Sequence, residues 1–327
     1  MPDTRPPVAL KTVSAIIPTF RRPEGLDRAM ASIKAQTGLS GTALDLIVCD
    51  NSPEASARAQ VEAFALTTAF PVRYVHEPKT GVANARNAAV AATQADFIAF
   101  LDDDEEAPAD WLWRMLANQA VFKADVVFGP VTARIPDDVA QYRPYFEAFF
   151  SRRGSDQSQV LDTYYGCGNS LIRRARMPDT EPFSTAMNEL GGEDDKLFAS
   201  LKAGGAAIAW AADAPVWEDV PPQRATLTYT LRRGFAYGQG PAYWAGMEKR
   251  WVACIGWMIQ GAGQAVVFAG MGAVARLVGS PHAAHLFDKA ARGLGKVLWF
   301  PPFKLKFYGQ ALLKKDSQRP SAQGHIA

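Results

Sequence analysis

This 327-residue chain is predicted to fold as an α/β layered sheet. Three observations carry the prediction. Short β-branched apolar runs alternate with amphipathic stretches over roughly the first hundred residues, a pattern that gives a sheet with right-handed crossovers. The run Phe97 to Leu101 is apolar on both faces, as a central parallel strand must be. Two acidic positions, Asp50 and Asp102, each lie at the carboxyl end of a predicted strand. That end is where such sheets bind ligands.

The elements follow in order. Val13 to Pro18 reads as a buried strand, and Glu24 to Gln36 as a helix whose Leu26, Met30 and Ile33 share one face. Leu44 to Cys49 is the second strand, closed by the turn signal Asp50-Asn51-Ser52-Pro53. Ser56 to Leu66 is helical, Val72 to Val75 a third strand, and Gly81 to Ala92 an alanine-rich helix leading to the fourth strand at Phe97. Beyond it, Trp111 to Val121 is predicted helical with Asp110 as its cap. Strands are expected at Val126 to Thr132, Tyr164 to Ile172 and Ala207 to Trp217. Helices are expected at Glu193 to Ala203 and Arg224 to Gly238. Ile135 to Gln159 mixes proline, aromatic and charged residues without a period and is expected to be irregular, crossing over the active face.

The length suits one large domain with an appendage, placed at 1–225 and 226–327. Hydrophobic residues at 48% and charged residues at 21% imply a sizeable core. A net charge of +2 disfavours a nucleic-acid partner, which would call for a stronger basic bias. Cys49, Cys167 and Cys254 lack the spacing of a zinc site or a disulfide framework and suit reduced thiols in the cytoplasm. Met1 to Val13 has no signal-peptide apolar core.

Each chemical motif has a bland reading beside the functional one. Asp102-Asp103-Asp104 offers hard carboxylate oxygens suited to Mg²⁺ or Mn²⁺. Such an ion acts as a Lewis acid on a departing diphosphate. A bare acidic triplet is as readily a solvated strand end. Asp50 could accept from a base edge or a ribose hydroxyl, but Asp in Asp-Asn-Ser-Pro is first a turn former. Glu193-Asp194 after Gly191-Gly192 could supply a general base, and could as well be an acidic helix start. Arg86 could reach phosphates with its planar fork, or sit on the surface of an alanine-rich helix.

Taken together, the motifs form a series. Ile17-Pro18-Thr19-Phe20-Arg21-Arg22, Val48-Cys49-Asp50-Asn51-Ser52, Gly81 to Asn87, Phe100-Leu101-Asp102-Asp103-Asp104-Glu105 and Gly192-Glu193-Asp194 occur in an order that resembles glycosyltransferase family 2. Gly191-Gly192-Glu193-Asp194 followed by Val220-Pro221-Pro222 is similar to the subgroup that builds bacterial exopolysaccharides such as succinoglycan. The resemblance covers about residues 11 to 240. It implies a GT-A fold, a Rossmann-like mixed sheet with helices on both faces, and an inverting reaction with a divalent metal. By resemblance, Pro18, Thr19 and Arg21 touch the nucleotide, Asp50 reads the base, and Arg86 lies near the diphosphate. Asp102 and Asp104 match the outer positions of the DxD signature, for ribose and metal, with Asp103 between them in the donor-binding set. Asp194 matches the catalytic base and Glu193 its neighbour at the acceptor. The donor so implied is a nucleotide-diphospho-sugar, UDP-linked, and the acceptor a glycan or lipid-linked saccharide.

Two departures stand out. Lys196 occupies the last position of a pattern that in many relatives reads Glu-Asp-x-Asp. The stretch Val216-Trp217-Glu218-Asp219-Val220-Pro221 has no histidine where relatives often place one, leaving Glu218 or Asp219 as substitutes or fewer protein ligands to the metal. Two rival functions compete with this reading. A metal-dependent nucleotidyltransferase would want a glycine-rich phosphate loop, which Ile17 to Arg21 does not supply. A non-catalytic binding module on the same fold would not need Asp102, Asp104 and Asp194 intact.

The C-terminal region bears on membranes. Trp251 to Ala275 contains no Asp, Glu, Lys or Arg, and from Arg276 to the end nine Lys/Arg face two Asp. Aromatic residues among lysines between Leu294 and Tyr308 suit a headgroup interface. The basic tail would add attraction to anionic lipid. Gln260, Gln264 and several glycines make the apolar stretch only moderately apolar, so interfacial insertion is favoured over a spanning helix. The expected place of the protein is the cytoplasmic face of the inner membrane.

Overall fold

The computed structural model describes residues 11–188 and 191–305. The basic residues from Lys306 onward, and the proline-rich start before Lys11, lie outside them. Among the described residues the chain divides into two compact units, one of 11–132 and 152–218, the other of 133–151 and 219–305. The stretch 133–151 therefore groups with the C-terminal helices.

In the first unit, β1 (Lys11–Thr19), β2 (Thr42–Asp50), β3 (Val72–His76) and β4 (Phe97–Phe100) run parallel, with α1 (Pro23–Lys34), α2 (Arg58–Ala65) and α3 (Val82–Ala91) as crossovers. After a two-residue strand β5 (Glu105–Glu106) come α4 (Trp111–Phe122), β6 (Val126–Phe128) and β7 (Val131–Arg134). Helix α5 (Arg143–Phe150) belongs to the second unit. The first then continues with β8 (Gln159–Val160), β9 (Ser170–Arg173), α6 (Glu193–Ala203), β10 (Ile208–Trp210) and β11 (Val216–Asp219). The main sheet has eight strands in the order β3-β2-β1-β4-β9-β6-β10-β8. It is mixed, because β9 runs antiparallel to both β4 and β6. The mixed, two-faced sheet expected of the GT-A fold is present.

Alternation along the strands explains the two layers. Val13, Ala15 and Ile17 of β1, with Leu46 and Val48 of β2, pack under α1, α2 and α4. Ile16, Ile47, Cys49, Ile98 and Phe100 point the other way, against α3 and α6. All these side chains are fully buried. Burying each large one is worth about 1.5–3 kcal/mol.

Several expected elements differ. Val126 to Thr132 is two strands, because Gly129-Pro130 interrupts the ladder and proline has no N–H to give it. Ala207 to Trp217 is likewise split before Pro215 into β10 and β11. Residues 164–169 are irregular, with a bend at 167–169, and only Ser170–Arg173 pairs. The supposedly irregular stretch contains α5, started by Pro144 in its first turn and held by buried Tyr145 and Phe146.

The second unit adds α7 (Leu227–Met247), α8 (Trp251–Leu277) and α9 (Ala283–Val297). Helix α7 starts later than expected because Thr226 caps it, its Oγ1 accepting from the Tyr229 amide. It also continues through Pro241. Glycines set the close crossings: a methyl at Gly238 would overlap the Arg292 carbonyl, and one at Gly295 the Phe235 carbonyl. Gly261 and Gly293 face each other in the same way across α8 and α9.

Candidate active site

The carboxyl ends of β1, β2 and β4 form one rim, with Thr19 in register with Asp50. The acidic turn after β4 is tied to β1 through its middle member. Asp103 Oδ2 accepts from Thr19 Oγ1 at 2.8 Å and from the Phe20 amide at 3.3 Å. Its Oδ1 accepts from Arg22 at 2.8 Å, and the same Arg22 nitrogen donates to Asp104 at 2.5 Å. Burial, together with the Asp104 and Asp102 charges, raises the Asp103 carboxyl to about 6 against the opposing pull of Arg22. Asp103 is thus the strut of the turn, and Thr19 acts through it. Gly25 of α1 lets the helix approach, since a Cβ there would overlap the Asp103 carbonyl.

Asp102 faces outward more, its side chain 36% exposed. Beneath it lies Glu105, which sequence reasoning did not single out. Glu105 Oε2 accepts from the Asp102 amide at 2.9 Å and from the Asn169 amide at 3.2 Å. Burial and the neighbouring Asp102 charge push the Glu105 carboxyl well above the usual carboxylate range. Asn169, fully buried at φ 47°, binds Trp111 Nε1 and the carbonyls of Pro130 and Ala214. Between them sits Gly168, where a Cβ would come within 2.8 Å of both Asp102 Oδ2 and Glu105 Oε1. Arg152 is also new to the site. It donates to the carbonyls of Gly129, Gly166 and Asn169, and burial lowers its affinity for its proton while Glu105, Asp102 and Asp194 raise it.

Arg86 joins this turn to α6. Its guanidinium donates to Glu193 at 2.6 Å and to Asp102 at 3.3 Å, and the Arg86 and Glu193 side chains are 6% and 5% exposed. Arg86 Nε is buried without a partner. Glu193 and Asp194 open α6 after Gly192. Asp194 remains partly exposed; its Oδ2 accepts from the Cys167 amide at 3.1 Å and its Oδ1 from the Asp195 amide at 2.9 Å. One glycine-bearing turn, 166–168, therefore touches Asp194 at one end and Asp102 at the other. Burial raises the Asp102 carboxyl, Arg86 opposes the rise, and the Asp104 and Asp194 charges add to it.

The remaining expected residues sit differently. Asp50 is fully buried, Oδ1 accepting from the Ser52 amide and Oδ2 from the Ala57 amide and Tyr74 hydroxyl. It shapes the turn after β2, as its local sequence suggested. Arg21, at φ 53°, pairs with Glu54 and lies over the Phe20 ring. Pro18 is a half-buried member of β1 beside Cys49. Arg86 is buried, with its guanidinium held by the Asp102 and Glu193 carboxylates. Asp219 pairs with Arg134 at 3.3 Å, and Glu218 is in register with Glu105.

Among the described residues, no group of three or more His, Cys, Asp or Glu is arranged to hold a metal. Mg²⁺, however, commonly binds through one or two carboxylates plus substrate phosphates, keeping several waters. Asp102 and Asp104 flank Asp103 on the turn after β4, are both partly exposed, and offer the hard oxygen donors that such an ion takes.

The comparisons agree with the family that the sequence resembles. The family model for glycosyl transferase family 2 matches residues 14–177. The succinoglycan biosynthesis protein ExoM of Rhizobium meliloti (strain 1021) is 35% identical over 221 residues, covering 68% of this chain and 71% of that protein. Among solved structures, S. aureus TarS is similar at TM-score 0.48 and 16% identity, over 69% of this chain and 39% of that one. A TarS 1–349 structure in complex with UDP-GlcNAc has a TM-score of 0.49 at 16% identity, over 69% of this chain and 66% of that one. This chain thus spans well under half of full TarS and just under two thirds of the shorter form. With half of its length matched by the family model and a 35% identical relative covered over more than two thirds, the chain belongs to glycosyltransferase family 2.

Proposed function

We propose that this protein transfers a sugar from a nucleotide-diphospho-sugar, UDP-linked, to a hydroxyl of a glycan or lipid-linked saccharide, with inversion, in the building of a surface or exopolysaccharide. The observation that carries the reading is the bridge from Asp102 through Arg86 to Glu193, which brings Asp194 to the acidic turn. The relative's role in succinoglycan biosynthesis supports the polymer class.

In this mechanism the donor lies along the carboxyl-end rim, its base against the turn that Asp50 holds and its ribose near Asp102. Asp102 and Asp104 would hold Mg²⁺ or Mn²⁺, which when bound supplies Lewis-acid neutralisation of the departing diphosphate. Asp194 accepts the proton of the acceptor hydroxyl as its oxygen attacks the anomeric carbon on the face opposite the nucleotide. Glu193 and Arg86 fix the aim of α6. Pro18, Thr19, Arg21 and Asp103 line or brace the nucleotide end. We assign catalysis to residues 1–225 and membrane association, on the cytoplasmic face of the inner membrane, to 226–327.

Replacing Asp194 by Asn is expected to reduce transfer by about 10²–10⁴-fold, the usual weight of a general base. Donor with Mn²⁺ should still raise the melting temperature by mass action. Undiminished transfer would remove Asp194 as the base. Asp104→Asn should weaken the Mn²⁺-dependent part of that thermal shift, and an unchanged shift would remove Asp104 as a metal ligand.

A further inference from the structure

Helix α8 is long and apolar enough to cross a membrane by length and composition, and only 11% of its apolar window is buried. Its twenty-seven residues would extend about 40 Å at 1.5 Å each, beyond the roughly 30 Å of a hydrocarbon core. What decides its placement is α9. The two helices are antiparallel: Gly272 meets Phe287, Gly261 meets Gly293, and Trp257 lies under Lys296. Gln264, at the middle of α8, donates to the Lys289 carbonyl and accepts from Lys296 Nζ. Helix α9 therefore runs Asp288, Lys289, Arg292 and Lys296 level with the middle of α8, with Lys289 and Lys296 on the side of α8 and Asp288 and Arg292 against Gly234 and Tyr237 of α7. A spanning α8 would carry these four charged side chains to hydrocarbon depth.

The opposite face is different. Val252, Ile255, Ile259, Val266, Val274 and Leu277 are exposed, at helical spacing in one stripe. Added methyls at Gly256, Gly263 and Gly270 would meet nothing. Charge complementarity names the occupant. From Trp244 to Leu305 there are seven Lys/Arg against Glu248 and Asp288, and Trp244, Trp251, Phe300 and Phe303 are exposed. An apolar stripe with basic and aromatic flanks matches the boundary between acyl chains and anionic headgroups.

We propose that the second unit lies on an anionic bilayer surface with α8 parallel to the membrane plane. The Val252-to-Leu277 stripe enters the acyl boundary, and α9 holds its charges at headgroup level. This rests on the membrane association proposed above and excludes a spanning α8.

The test uses the full chain with single cysteines at Val252, Ile259, Val266 and Leu277. Cys49, Cys167 and Cys254 are all buried, so an added exposed thiol labels selectively. With an environment-sensitive probe on vesicles of phosphatidylglycerol and phosphatidylcholine, lipids quenching at known depths should give one similar, shallow depth at all four sites. Ile259 and Val266 lying much deeper than Val252 and Leu277 would overturn the in-plane placement while leaving membrane association standing. Failure to bind vesicles of either composition would overturn both, as would a lipid-independent dimer that shields the four probes. Ile259→Glu with Val266→Glu, on an exposed face, should lower partitioning at least tenfold with unchanged circular dichroism. Removing phosphatidylglycerol should weaken partitioning of the parent at least tenfold. Unchanged partitioning in either case would overturn the proposal.

Discussion

Around the acidic turn, charged and polar groups are buried and paired with one another. Along α7, α8 and α9 the reverse holds, with backbone meeting backbone at glycines while large apolar side chains face outward. Arg86, Glu193, Glu105 and Asn169 are nearly or fully buried in the first region, whereas Ile259, Val266 and Leu277 are exposed in the second. The first region draws its specificity from geometry, because a buried polar group that loses its partner is costly. The second draws its shape from the absence of side chains, because only glycine admits the carbonyl contacts at 238 and 295. Loss of a charge should therefore hurt the rim most, and gain of a methyl should hurt the helical unit.

Three substitutions and one control would break or sharpen that contrast. Arg86→Ala leaves Glu193 buried and unpaired and is expected to cost about 3–5 kcal/mol, read from denaturant unfolding. A cost under about 1 kcal/mol would show the pair to be dispensable. In the helical unit, Gly238→Ala should cost about 1–3 kcal/mol through overlap with the Arg292 carbonyl. Its control is Gly240→Ala in the same helix, where a methyl meets nothing and helix propensity favours alanine by up to about 1 kcal/mol. Equal effects at 238 and 240 would sink the close-crossing account. The smallest effect expected is a slope. The Glu105 carboxyl is raised on folding, so the folded chain holds that proton more tightly than the unfolded one. Its contribution to stability is full below the ordinary value of 4.5 and is lost as pH rises through the elevated value. Glu105→Gln should flatten the corresponding fall in melting temperature as pH rises above 4.5 toward the elevated value. An identical slope in the variant would place the titration elsewhere.

The same contrast explains what could be read in advance. Asp102, Asp104 and Asp194 stand out as candidates because each belongs to a short motif, and the motifs come in a fixed order. Glu105, Arg152 and Asn169 were not. Glu105 looked like a fourth acid in a run, and its significance comes from the Asn169 amide, 64 positions away. Arg152 lay in a stretch without a period, and its partners are the carbonyls of Gly129, Gly166 and Asn169. Arg86 stands out in the sequence, but its pairing with Glu193, 107 positions away, does not. Asp50 was read both ways, and its local reading as a turn former describes its contacts.

By itself the sequence determined the alternation of strands and helices, the two faces of the sheet, the acidic turn at the end of the central strand and the apolar length of α8. These depend on periodicity and on neighbours within a few positions, which a linear pattern records. Tertiary structure alone decided that Asp103 braces the turn, that Glu105 and Asn169 support it from beneath, and that Arg86 links it to α6. It also decided that α9 turns Lys289 and Lys296 toward α8 and Asp288 and Arg292 toward α7. Each of these is a pairing between distant residues, where burial makes a satisfied partner necessary and the linear order does not say which partner that will be.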